Sequence, residues 1–168
     1  TGTNNGPESA EAKALAALED SLMGRGGESA VMENALRHIV TRITDEGLVI
    51  ELFELEDVPL FEGHDDTPTQ LLRDLAALIA ATAQIVTNGI AIGGHVRANP
   101  IVLAKNGVWE RSADRATIMR ELLENAGINT KRVERVTGHA DRKPVLPNTM
   151  AKRNNRIEII LLRDIPRN

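Results

Sequence analysis

Gly47-Leu48-Val49-Ile50-Glu51-Leu52-Phe53-Glu54-Leu55 reads as a β-strand, entered through a turn at Asp45-Glu46-Gly47. From there the chain exchanges one period for another to its end. A loop containing Pro59, Leu60, Phe61, Glu62 and Gly63 follows. Thr67-Pro68 then opens a helical stretch, proline being tolerated at the first helical position, and Leu71, Leu72, Leu75, Leu78 and Ile79 carry it to about residue 86. Asn88-Gly89 turns into a short apolar strand, Ile90-Ala91-Ile92-Gly93-Gly94, and a long loop leads to a helix over residues 112–125, stopped by Gly127. A strand at residues 132–138, a loop with Pro144 and Pro147, and a strand at residues 156–162 complete the chain. The order β-α-β-α-β-loop-β predicts an α/β (α+β) two-layer sandwich, with the helices on one face of a mixed sheet.

The residues before this core have a different character. The first ten are small and polar and read as disordered. Residues 9–23 are helical, with Ala12, Leu15, Leu18 and Leu22 on one face, and Gly24-Arg25-Gly26-Gly27 breaks that helix. Residues 28–43 read as a second helix with Val31, Ala35, Leu36, Ile39, Val40 and Ile43 as its stripe. The expected division is a disordered start and helical segment over residues 1–43 and a folded domain over residues 44–168. The helical segment is either a linker or oligomerisation element, or it packs on the domain.

Composition narrows the function. Among 168 residues there is no cysteine, so a disulfide scaffold, a thiolate metal site and a cysteine nucleophile are all excluded. Aromatics are only 2%, too few for recognition by stacking on sugars or single-stranded bases. A net charge of −4 argues against a nucleic-acid partner. No apolar run approaches the roughly 20 residues of a membrane span. Charge is unevenly spread: residues 44–66 carry acids and no Lys or Arg, while residues 129–168 are rich in both cations. Either two solvated surfaces attract each other across the fold, or the basic stretch lines a site for an anionic ligand.

One segment concentrates chemistry, Val108-Trp109-Glu110-Arg111-Ser112-Ala113-Asp114-Arg115-Ala116. Ser112 is a suitable N-cap for the expected helix and Asp114 suits its first turn. Arg115 near that terminus either forms a carboxylate-gripping site with free backbone N–H groups or pairs with a neighbouring acid. His95 and His139 end strands in an echoing pattern, Gly94-His95-Val96-Arg97-Ala98-Asn99-Pro100 and Gly138-His139-Ala140-Asp141-Arg142-Lys143-Pro144. Two histidines without a carboxylate at ligand spacing are loop anchors rather than a metal site, and no cofactor is expected. His64-Asp65-Asp66 reads as a solvated loop, His38 as a helix-surface residue and Trp109 as a packing residue. Glu110 and Asp114 imitate a catalytic pair, but no nucleophile signature accompanies them, so an enzyme is not expected.

The stretch from Trp109 to Ala116 resembles the N-W-E-L-S-x-x-R-A signature of OmpA-like peptidoglycan-binding domains, in the form found in flagellar stator subunits. Asp45-Glu46-Gly47-Leu48-Val49-Ile50 with Pro59-Leu60-Phe61 is similar to that family's E-G-L-x-I strand and P-M-F loop. Gly94-His95 is similar to its G-H-T-D, and Asn154-Asn155-Arg156-Ile157-Glu158-Ile159 to its closing N-R-R-hydrophobic-E-I strand. The match covers residues 44–163.

The resemblance implies a β-α-β-α-β-β core and a non-catalytic periplasmic domain that holds peptidoglycan. It implies homodimers and a MotA-like, channel-forming stator partner subunit reached through an inner-membrane helix of the whole protein. Residues 9–43 then fall where a linker regulating the channel would be. In the family an aspartate of T-D and the arginine of S-x-x-R-A grip the amino and carboxylate ends of the stem peptide's diaminopimelate. Arg115 matches the arginine, but Val96-Arg97 stands in place of T-D. Three compensations are open: Arg97 reads another carboxylate, Asp141 supplies the acceptor, or two domains of a dimer engage together. The expected ligand-binding set is Arg115, Arg97, Ser112, His95 and Asp141. The alternatives are a wall-anchoring domain of an outer-membrane protein or lipoprotein, and a dimerisation domain with little wall binding of its own.

Overall fold

The computed structural model describes residues 7–26, 29–99 and 107–164. The expectation of disorder at residues 1–6 lies outside these residues, whereas residues 7–10 already belong to the first helix.

Five strands form one mixed sheet in the order β1-β2-β7-β5-β6: β1 (Ile39–Ile43), β2 (Gly47–Phe53), β5 (Ile90–His95), β6 (Val133–Gly138) and β7 (Arg156–Leu162). All neighbours are antiparallel except β5 and β6. A two-stranded ribbon, β3 (Phe61–Glu62) with β4 (Thr67–Pro68), sits apart from it. Alternation places Leu48, Ile50 and Leu52 of β2 and Ile157, Ile159 and Leu161 of β7 in one core. That core is shared with leucines of α1 (Pro7–Gly26) and α3 (Gln70–Ala83) and with Met119 of α4 (Val108–Asn125). This is the expected two-layer sandwich.

Local chemistry sets the helix ends. The Thr69 side chain caps α3 by accepting from the Leu72 N–H at 3.3 Å, so the helix begins later than expected. Pro68 lies in β4 instead, at an edge where its missing N–H costs nothing. At the end of α4, Gly127 adopts φ 113°, and the Ile128 N–H reaches back to the Leu123 carbonyl at 3.1 Å. Ile128 then seals the core.

The second N-terminal helix is shorter than its apolar stripe suggested. α2 (Ala30–Leu36) is capped by Ser29 and stops at a turn, and residues 39–43 are strand β1. Ile39, Val40, Thr41 and Ile43 are β-branched, and pairing Ile39 with Leu52 through Ile43 with Leu48 rewards an extended backbone more than a last helical turn. His38 is therefore not a helix-surface residue: it is buried at the turn, its Nδ1 2.8 Å from the Phe53 carbonyl oxygen. The division expected at residues 43 and 44 falls in the β1–β2 hairpin turn.

Helix α1 buries Leu15, Leu18 and Leu22 in the same core as the sheet. Among the described residues no helix is long and apolar enough to cross a membrane. Leu22→Ala removes a fully buried side chain, so unfolding free energy is expected to fall by about 2–5 kcal/mol, measured by urea denaturation. A change below about 0.5 kcal/mol would mean that α1 contributes little to the domain.

Candidate functional site

Past the C-terminal ends of β2 and β5, a cleft of about 260 Å³ opens between the loop after β2, the segment after β5 and the early turns of α4. Its wall includes Arg97, Arg111, Arg115 and Lys152, facing Glu54 and Asp57.

Arg115 is the most constrained of these. Helix α4 starts at Val108, four residues before the expected position, because Val108 buries itself against Val96 and Ala140. Arg115 is thus two turns inside the helix, away from its free N–H groups, and Asp114 lies outside the first turn. The side chain instead pairs with an acid. Arg115 Nε donates to Asp66 Oδ1 at 3.1 Å, and its guanidinium lies 4.7 Å from the centroid of Phe61. Asp66, expected in a solvated loop, is only 5% exposed and takes a left-handed φ of 50° at the turn before β4. Arg111 Nε lies 3.6 Å from the same Asp66 oxygen. Burial pushes the Arg115 guanidinium down from its usual range, and Asp66 and Glu54 work against that; an arginine so placed still keeps its charge. Its Nη1 and Nη2 make no hydrogen bond among the described residues.

A second chain of contacts positions Arg97. Glu54 accepts from the Leu60 N–H at 3.2 Å and from Asn155 Nδ2 at 3.0 Å. Asn155 Oδ1 in turn accepts the Arg97 backbone N–H at 2.8 Å. The Arg97 side chain is exposed and reaches the Met150 carbonyl at 3.4 Å. Glu54, Asp66 and Asn155 were not singled out as site residues. Only Asn155 carried a sequence signal, through its place in the closing motif.

Of the expected set, the structure brings Arg115 and Arg97 into one cleft and leaves three residues out of its wall. Ser112 is no cap: buried within α4, it donates to the Trp109 carbonyl at 3.0 Å and accepts from the Ala140 N–H at 2.9 Å, tying the loop after β6 to the helix. Asp141 lies in that loop, 3.7 Å from Arg142. The two echoing loops do run side by side, with the Val96 N–H bonded to the Ala140 carbonyl at 3.0 Å. Trp109 is 51% exposed rather than packed, with the Arg142 guanidinium 5.8 Å from its ring centroid.

His95 belongs to the other face of the sheet. It stacks on His139 at 4.5 Å and points Nε2 at Glu158 Oε1 from 3.7 Å, an electrostatic approach too long for a hydrogen bond. Beside it Glu51, buried in β2, meets Arg156 at 3.1 Å, Arg153 at 3.0 Å and Arg42 at 3.3 Å. The acidic and basic stretches of the chain therefore do attract each other across the fold, with Glu46 and Arg135 adding a pair at 2.9 Å. Among the described residues no group of three His, Asp or Glu side chains could hold a metal ion.

This face is expected to make the domain lose stability in acid. The His95 imidazole, with Arg156 and Arg42 behind it, holds the Glu158 carboxyl at about 2 against an ordinary 4.5. Burial, then His95, pushes the His139 imidazole below its ordinary 6.5. In both cases the unfolded chain binds protons first as the pH falls. The His139 contribution is expected to be lost below about 6.5 and that of Glu158 between about 4.5 and 2. Urea midpoints measured from pH 8 to pH 3 check this, and His139→Asn should flatten the upper part of the curve.

The chain shares 32% identity over 116 residues with Motility protein B of Escherichia coli K12, a match covering 67% of this chain and 38% of that protein. The chain belongs to the MotB family, and its fold is OmpA-like. The chain thus spans little more than a third of the length of the curated relatives it matches. The periplasmic domain of Helicobacter pylori MotB superposes with a TM-score of 0.63 at 24% identity, over 76% of this chain and 83% of that one. The cell wall anchor of the Pseudomonas aeruginosa T6SS gives 0.62 at 20% identity, over 79% and 95%. At these identities the two structures establish the fold. No family model matches the chain. The cleft beside Arg115 is the candidate site.

Proposed function

We propose that this MotB-type domain is a non-catalytic, periplasmic anchor that holds a flagellar stator to peptidoglycan by recognising carboxylates of the stem peptide. The observation that carries the reading is Arg115: a buried cation, clamped by Asp66 and Phe61, whose two terminal nitrogens are left for a ligand at the wall of a cleft. A guanidinium held this way presents parallel donors to a carboxylate without losing rotamer freedom on binding. Arg97 lines the same cleft and adds a second, adaptable cation. The whole protein would act as a homodimer with a MotA-like, channel-forming partner subunit, through a membrane segment that anchors it in the inner membrane. Residues 9–43 would then connect the anchor to that segment, with α1 docked on the domain.

Sedimentation with purified peptidoglycan tests the reading. Wild type is expected to pellet with the wall, and Arg115→Ala to lose at least about tenfold in affinity, the worth of one charge-assisted bidentate contact. Arg97→Asp, folded by circular dichroism, separates a second carboxylate contact from a superfluous cation. If wild type stays in the supernatant whether monomeric or dimeric, wall anchoring by this domain is wrong, and a dimerisation role replaces it.

A further inference from the structure

The loop over residues 139–151, which follows β6, is held by buried groups yet turns its apolar side chains outward. Buried Asn154 anchors it: its Oδ1 accepts the Val145 N–H at 2.8 Å and the Leu146 N–H at 3.1 Å, and its Nδ2 donates to the Asn148 carbonyl at 2.8 Å. Arg156 Nη2 donates to the Lys143 carbonyl at 2.6 Å, and the Ala98 N–H to the Thr149 carbonyl at 2.9 Å. With its backbone so fixed, the loop leaves Val145, Leu146 and Met150 each 40–44% exposed. Half-exposed Trp109, on the first turn of α4, adjoins the start of the loop through the Arg142 guanidinium. Single exposed apolar residues are ordinary on a protein surface, but four gathered about one fixed loop are not.

Cations rim this patch. Arg142 and Lys143 precede the apolar tip, Lys152 follows it, and Arg97 reaches the Met150 carbonyl at 3.4 Å. The loop's one acid, Asp141, lies 3.7 Å from Arg142, and the other three cations make no ion pair among the described residues. We propose that this loop docks on the surface of an anionic lipid bilayer. Val145, Leu146 and Met150 enter the boundary between headgroups and acyl chains, and the four cations meet the headgroup phosphates. Apolar side chains of this size gain by leaving water, and the Trp109 ring suits the headgroup level. Each cation near an anionic bilayer is worth about fivefold in binding. The chain as a whole carries −4, so the same bilayer repels its acidic remainder and orients the loop toward the lipid. A second copy fits less well, because a twofold contact through this loop sets its cations against their own counterparts.

Flotation of the chain with lipid vesicles tests the assignment. Wild type is expected to float with vesicles of phosphatidylglycerol and phosphatidylcholine in equal parts, to stay behind with phosphatidylcholine alone, and to be released by salt. Lys143→Gln should weaken binding about fivefold and Leu146→Ser about tenfold, each folded by circular dichroism, with Val145→Ser as the second apolar variant. Leu146 is not in the wall of the cleft, so Leu146→Ser should sediment with peptidoglycan as wild type does. No flotation of wild type, equal flotation with both kinds of vesicle, or flotation of both apolar variants equal to wild type overturns the assignment. A parallel loss of vesicles and peptidoglycan in Leu146→Ser also overturns it, because the loop would then serve the cleft. So does a dimer in sedimentation equilibrium without vesicles that Leu146→Ser dissociates, which would make the patch an interface between copies of the chain.

Discussion

Gly94→Ala is expected to destabilise the domain by about 3 kcal/mol or more, at the upper end of overpacking costs. A Cβ on Gly94 would lie 2.0 Å from the Ser112 carbonyl oxygen and 3.3 Å from the Ala116 Cβ, so α4 sits directly on the backbone of β5. The neighbouring strand repeats the arrangement: a Cβ on Gly138 would lie 2.6 Å from the Ala113 nitrogen. Neither obstacle is the end of a flexible side chain. Relief requires the whole helix to lift, which also loosens the Ser112 contact with Ala140 and shifts Arg111 and Arg115 at the cleft. Urea denaturation measures the loss, and the double variant Gly94→Ala, Gly138→Ala should cost less than the sum of the singles, because one displacement of α4 relieves both clashes. A Gly94→Ala protein within about 1 kcal/mol of wild type would show that α4 is not seated as described.

Asp66→Asn is expected to cost about 2–3 kcal/mol, somewhat below the roughly 3–5 kcal/mol of a fully enclosed broken ion pair, because the cleft admits solvent beside Arg115. Asparagine tolerates the left-handed φ of 50° and still offers an oxygen to Arg115 Nε, so the substitution removes charge while sparing the turn. What remains is Arg115, 8% exposed, with Arg111 as a like-charged neighbour and no buried counter-ion in contact. Under the proposed role the guanidinium should then swing, and affinity for peptidoglycan should fall in parallel with Arg115→Ala, though less deeply. Unchanged stability together with unchanged sedimentation would show that Arg115 does not depend on Asp66.

These two residues also mark where sequence reading stops. Strand β7 is legible because Arg156-Ile157-Glu158-Ile159 alternates and runs into the short apolar stretch Ile160-Leu161-Leu162, a pattern that needs no partner to be seen. Arg115 was legible through its motif, and the possibility that it pairs with an acid was visible from its chemistry. That the acid is Asp66 was not. The two lie 49 positions apart, and His64-Asp65-Asp66 has the composition of a solvated turn. Glu54 and Asn155 are further apart still, 101 positions, and nothing local ties them to Arg97. Strand β1 was lost for a related reason: Ile39, Val40 and Ile43 fit a helical stripe and a strand equally, and only hydrogen bonds from β2 break the tie.

The sequence by itself determined the order of strands and helices from β2 onward apart from the β3–β4 ribbon, the mixed sheet with one helical layer, and the family resemblance through four spaced motifs. Those properties follow from local periodicity, turn chemistry and short signatures, all carried by residues close in the chain. Tertiary structure alone decided which cations share a cleft and which carboxylates are already spent. Pairing is a competition among groups brought together from distant segments, and its outcome depends on distances of 3 to 4 Å that no spacing along the chain encodes.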